Sequence, residues 1–293
     1  MSDAAAALTD PLEAMPPPER VNYATGVLLA AEDFRDEQTY HRARLARLLS
    51  ALAGFGTLAG LRVSPPAADD AELELQVAPG IAIDRFGRLV EITEPYCIRI
   101  ARWFAGLSTP ALRAAVHRAP RVSVPAAVVA DVFLGALSCA RAKTPAFASG
   151  PFDALDAAVP ARLAEAAQLE FVPRTEGGPD AIPAPQNFWP ASDAAAEARM
   201  QAVMDSWEVG TAATAADGSL DPLAEQVVGH NTSAVLLARV TVPIILAEDA
   251  APEIRPQLDM TRRVSVDNSL RPFVFLPGKW LGRAFAAKPL VQP

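Results

Sequence analysis

The chain has 293 residues, 26 basic and 34 acidic, for a formal charge of −8 and a pI of about 5.0, a balance that excludes an overall nucleic-acid footprint and leaves room only for a local basic strip. The length suits two loosely separable units with a real core, but 60 of the hydrophobic residues are alanine, so that core must rest on Val, Leu, Ile and Phe. Cys97 and Cys139 form no CxxC and suggest free thiols in a reducing compartment, and the apolar stretches 50–61 and 122–140 are too short, or too broken by Pro125 and Asp131, to span a bilayer.

Residues 1–20 hold alanine, acids and prolines and end in Pro16-Pro17-Pro18, a composition expected to form an arm that is disordered or ordered only against a partner. It carries acids and no basic n-region, unlike a secretory signal, so a cytoplasmic location is expected. From Ala31 to Ala53 the pattern is helical, with Phe34, Leu45, Leu48, Leu49 and Leu52 on one stripe. Glu32, Asp33, Asp36 and Glu37 precede His41, Arg42, Arg44 and Arg47 along it, each sign toward its favoured end of the helix dipole. Gly54 and Gly56 end the helix.

Short strands follow at 61–63, 72–77, 81–84, 88–92 and 97–100, with alternation in Leu73, Leu75, Val77 and in Ile81, Ile83 giving one apolar face each. Asp84-Arg85-Phe86-Gly87 reads as a tight hairpin turn with Gly87 at positive φ. Residues 101–118 read as helical, 122–140 as one or two strands, 141–160 as a proline-spotted connection, 161–168 as a short helix and 169–172 as a strand. An insertion spans 173–233, with a helix over about 193–208. Strands resume at 234–242 (with Arg239 inside an apolar run), 244–246, 263–267 and 273–276. The expected fold is α+β: an N-terminal arm (1–20), a helical docking module (21–62), a mainly antiparallel, β-sandwich-like sheet system in two parts (63–172 and 234–293), and a Pro/Ala-rich helical insertion (173–233).

Motifs for chemistry are sparse. Gly54 to Gly60 spells GxGxxxG after a helix, whereas a phosphate cradle needs a strand before it and a helix N-terminus after it. His41 sits one turn from Glu37, which reads as a surface pair; His117 and His230 read as surface and loop residues, none with a second ligand at metal spacing. No GxSxG elbow is present, and Cys139 reads as a small core side chain. Asp69-Asp70 and Glu248-Asp249 read as solvated loop acids. Asn231-Thr232-Ser233 fits a glycosylation sequon that has no use without secretion. The residues name no catalytic group, cofactor or metal.

Val21-Asn22-Tyr23-Ala24-Thr25-Gly26-Val27-Leu28-Leu29, then Ala31-Glu32-Asp33-Phe34, then Glu37-Gln38-Thr39-Tyr40 resemble a family of uncharacterised proteins encoded in contractile phage-tail-like and contractile-injection-system gene clusters. The resemblance continues through Gly54 to Val63, Pro79 to Asp84 with Gly87-Arg88, Leu236 to Val240, and Val266 to Pro272. Ala30 stands where that family often has a capping threonine, and 56–59 lacks its bulkier residues. The resemblance implies a non-enzymatic virion component of a tail, baseplate or attached fibre, assembled in the cytoplasm into a particle that is released. Its partners would be other subunits, in a homo- or hetero-oligomer. Tyr23, Phe34, Tyr40 and Arg42 are the candidate partner-docking residues, with the arm and the 31–53 helix as docking elements. Two other classes stay open: a receptor- or cell-surface glycan-binding module of the same particle, using Trp189 and Trp207, and a cell-wall or polysaccharide hydrolase.

Overall fold

In a computed structural model, the structure describes residues 7–14, 16–67, 70, 72–119, 122–145, 158–175, 183, 220–227 and 229–274. The fold is a mixed α+β arrangement of antiparallel sheets. Elements run β1 (Ala7–Leu8), a 3-10 turn (Pro11–Ala14), α1 (Ala31–Ala53), β2 (Gly56–Gly60), β3 (Val63–Ser64), β4 (Glu74–Val77), β5 (Gly80–Ile83), β6 (Leu89–Ile92) and β7 (Tyr96–Arg99). There follow α2 (Ile100–Gly106), α3 (Thr109–Ala114), β8 (Val116–Arg118), β9 (Ala126–Pro145), β10 (Ala158–Pro173), β11 (Val235–Ile245), β12 (Gln257–Leu258) and β13 (Ser265–Asp267).

A seven-stranded sheet is organised around β9. Its twenty residues pair with β8 and then β10 along one side, and with β11 and then β1 along the other. The small strands form two three-stranded sheets, β2-β5-β6 and β3-β4-β7. All three sheets share one core. Val63, Leu75, Val77, Val90 and Ile92 from the small sheets, with Leu61 between β2 and β3, meet Val132, Leu134, Leu237, Val240 and Val242 from the large one. The alternation that put these residues on one face of each strand is what lets the layers close over them.

Several expectations need correction. Residues 161–168 are strand, not helix: β10 pairs with β9 from Ala158 opposite Pro145 to Pro173 opposite Ala130, and that continuous ladder overrides the helix preference of its alanines. The same hairpin takes in much of what read as a connection at 141–160. Gly56 to Gly60 is a strand, paired with β5, so the helical module ends at Gly54, whose N–H donates to Ser50 O. At 61–63 only Val63 is in a strand: Leu61, fully buried, takes a left-handed φ of 59° between β2 and β3. The 101–118 stretch divides into α2, α3 and β8.

Of the 173–233 stretch read as an insertion, Arg174, Leu220, Glu225, Gln226 and Ser233 are buried. The helix expected at 193–208, together with Trp189 and Trp207, lies outside the described residues. The arm also differs from its expectation, since part of it folds back on its own chain. Ala7 and Leu8 pair with Cys139 and Ser138 of β9, and Asp10 and Leu12 are buried.

Candidate functional site: helix α1 and the turn that holds it

Helix α1 begins without a capping side chain at Ala30; instead the Asp33 carboxylate accepts from the Ala30 N–H at 2.6 Å, half of a capping box. Glu32 and Asp33 fall in the first turn, but the helix's last basic residue, Arg47, lies short of the last turn, so only those two acids meet the helix dipole where it is strong. Of the apolar stripe, only Leu49 packs toward the core. Ala46 and Ala53 are the helix's buried residues, while Phe34 (53%), Leu45 (58%), Leu48 (54%) and Leu52 (54%) stay exposed. Small alanines on the inner face let the helix approach closely with Leu49 packed beside them, and Leu45, Leu48 and Leu52 are left outside.

What it approaches is the 84–87 turn. Gly87 has φ +81°, and a Cβ built there would lie 2.0 Å from Ala46 O, so the turn and the helix touch backbone to backbone. Only glycine serves both the positive φ and the contact. Asp84, fully buried, accepts from the backbone N–H groups of Phe86 (3.0 Å) and Arg88 (2.8 Å) and from Arg88 Nε (2.7 Å). Burial pushes the Asp84 carboxyl above its usual value, with Arg88's charge and hydrogen bonds pulling the other way. For Arg88, burial opposes the charge, but Asp84, Glu13 and Asp10 outweigh it and hold the guanidinium above its ordinary value.

Arg88 donates outward to Glu13 (2.8 Å), Asp10 (3.4 Å) and Ser233 Oγ (3.1 Å). Arg42 of α1 reaches the same Asp10 at 2.8 Å and lies 3.6 Å from Glu165 on β10. Arg85 donates to the carbonyls of Asp221 and Thr232 and to Gln226 Oε1. One hairpin turn therefore ties together the arm, α1 and the segment leading into β11. The sequence signalled the turn through Asp84 and Gly87; it gave no signal that Arg88 would bridge to residues 75 or more positions away.

A second charged cluster sits inside the large sheet. Asp131 on β9 lies directly opposite Arg239 on β11 in the strand register, with Arg239 Nε and Nη2 donating to it at 2.8 and 2.9 Å and Arg174 3.4 Å away. Arg174 also donates to Glu225 O and pairs its own carbonyl with His117 Nε2 at 3.2 Å. His117 is therefore a buried residue, not the surface one expected. Burial pushes the Glu225 carboxyl up, with Arg85 and Arg174 acting against it. A lone acid and a lone base, each centred in an apolar strand, were the sequence signal for this pair; neither reading joined them.

Of the four candidate docking residues, Tyr23 and Phe34 are exposed, Tyr40 is half-buried edge-on to His41 with ring centres 5.3 Å apart, and Arg42 is engaged within the chain. Desolvation and the carboxylates of Glu37 and Asp33 raise the Tyr23 phenol. In the segment before α1, Val27 is 53%, Leu28 95% and Leu29 40% exposed. His41 Nε2 lies 2.9 Å from Glu37, the pair expected from their spacing. His230 sits in its loop, 3.5 Å from Glu170. Cys139 is half-buried and Cys97 exposed, both as free thiols.

Among the described residues, no group of three His, Cys, Asp or Glu side chains is placed to hold a metal ion, and no helix is long and apolar enough to cross a membrane, a statement that does not extend to β-barrels. No protein-family model matches the chain, and no curated protein matches it.

Proposed function

We propose that the protein is a non-enzymatic structural subunit of a contractile phage-tail-like particle or injection system, at the baseplate periphery or a fibre attachment point. The observation that carries this reading is the set of large apolar side chains left exposed at residues 27–29 and along the outer face of α1. It coincides with the block of sequence in which the family resemblance is densest. Side chains of this size left in water on a preformed helix suit a protein surface that is completed by assembly. The sheet system beneath, sandwich-like in its shared core, supplies a rigid platform, and the turn at Asp84 fixes the helix to it.

The experiment is incorporation. In the source organism, contractile particles are purified and their subunits identified by mass spectrometry, for the native chain and for a Leu28→Glu, Phe34→Glu double variant. Both positions are exposed, so the variant is expected to fold with an unchanged circular dichroism spectrum yet be absent from particles. Deleting the arm would be a poorer test, because it removes Asp10 and Glu13 from a buried ionic network. Absence of the native chain from the particles, or incorporation of the variant at the native level, refutes the proposal.

A further inference from the structure

The exposed face of α1 has a spacing that narrows what can cover it. Phe34, Gln38, His41, Leu45, Leu48 and Leu52 follow one another at intervals of four, three, four, three and four, and all six are exposed. That is the a/d seam of a coiled coil, narrower than the stripe a helix buries in a globular core. A helix fits such a seam, laid alongside with its own apolar residues at a and d. Here the seam is already folded and held against the sheets through Ala46 and Ala53, so the ordering that makes short isolated coiled coils marginal has been met in advance.

Charge selects the partner and its direction. In the heptad set by the seam, Glu37 takes a g position and Arg42 an e position, the two that meet across a parallel pair. Two copies of α1 side by side therefore bring Glu37 of each toward Arg42 of the other. Arg42 donates to Asp10, lies 3.6 Å from Glu165 and is 35% exposed, and Glu37, 2.9 Å from His41 of the seam, is 28% exposed and has its second carboxylate oxygen free of any hydrogen bond. The remaining flanking contacts in this register pair Arg44 with Leu49 and Ala30 with Arg35, with no like charges opposed. Full antiparallel overlap would set Arg42 against Arg42 and Arg44 against Arg44. Sliding it by one heptad pairs Glu37 with Arg44 but opposes Arg35 to Arg42. The parallel register also stacks Leu45, Leu48 and Leu52 in self-matched layers and places Gln38 opposite Gln38, a polar a position of the kind that fixes register.

We propose that α1 pairs in parallel with α1 of a second copy of this chain, forming a two-helix seam through Phe34, Leu45, Leu48 and Leu52. This contact does not depend on membership in a particle.

The test is the oligomeric state of the purified full chain by sedimentation velocity, from micromolar to near-millimolar concentration. The native protein is expected to be a dimer, and a Leu45→Glu, Leu48→Glu variant a monomer with an unchanged circular dichroism spectrum, since both side chains are exposed in the single chain. A native monomer over the whole range, or a variant that stays dimeric, overturns the proposal. Direction is read in a Cys97→Ser, Cys139→Ser background carrying Leu48→Cys. Mild oxidation is expected to give a covalent dimer through position 48. Failure to cross-link in a protein that still sediments as a dimer overturns the parallel arrangement.

Discussion

Replacing Arg88 with methionine tests the turn that fixes α1. The methionine keeps the stem's packing and removes the charge, leaving Asp84 at 0% exposure without its ionic partner and cutting Glu13 off from the core. Breaking a buried pair from one side costs about 3–5 kcal/mol, because the remaining charge is stranded in a low dielectric. The loss should depend on pH, and its sign follows from Asp84. Burial already raises its folded value above the unfolded one, so its contribution is present below the unfolded value and lost as pH climbs through the folded one. Without Arg88 the folded value climbs further. Urea denaturation of native and variant protein should therefore show a small difference at about pH 4, near the ordinary aspartate value, and the full difference at neutral pH. Adding Asp84→Asn, which removes the stranded charge, should restore at least about 1–2 kcal/mol of the neutral-pH loss. A neutral-pH loss under about 1 kcal/mol, the range of an exposed pair, or a difference that does not change with pH, would refute the reasoning.

Gly87→Ala should cost more than a usual turn substitution. Its Cβ would lie 2.0 Å from Ala46 O at a φ of +81°, so strain of about 1–3 kcal/mol adds to displacement of the helix. Hydrogen exchange should show α1 amides losing protection before those of β9, and uniform loss across both would contradict this coupling. On the surface, the Asp259 carboxyl is held below its usual range chiefly by the Thr261 hydroxyl at 2.5 Å, helped by the Thr261 N–H and Arg262 and opposed by desolvation. Its contribution to stability is therefore present above the unfolded value and lost as pH falls through the folded one. Thr261→Val should move the Asp259 titration, followed by carboxyl NMR, back toward the ordinary aspartate range; an unmoved titration would refute the assignment.

The elements that local physics decides were the ones legible in the sequence. Helix α1 has the boundaries that its periodicity and Gly54 set, and the hairpin turn has Gly87 at positive φ as Asp84-Arg85-Phe86-Gly87 implied. What long-range pairing decides was not legible. The alanines of 161–168 favour a helix in isolation and become a strand because β9 lies alongside. The direction in which α1 turns its leucines could not be read either, since periodicity identifies a stripe but not the side on which the rest of the protein sits. On the candidate surface Tyr23 and Phe34 are exposed, and for Phe34, as for the leucines, residue type and spacing alone did not decide it. The double duty of Arg42 could not be read, because Asp10 and Glu165 approach it only in three dimensions.

The docked part of the arm has a consequence for the order of events in folding. Residues 7–14 contact Arg42, Arg88 and positions 138–139, and the last of these pairings cannot form until segments more than a hundred residues apart have met. Closing loops of that span comes late, and structure that forms last on an assembled scaffold is the first to open. The N-terminal clasp is thus a reporter: its release, read by protease nicking near Pro11, would register loosening of the 84–88 corner while the sheets stay shut.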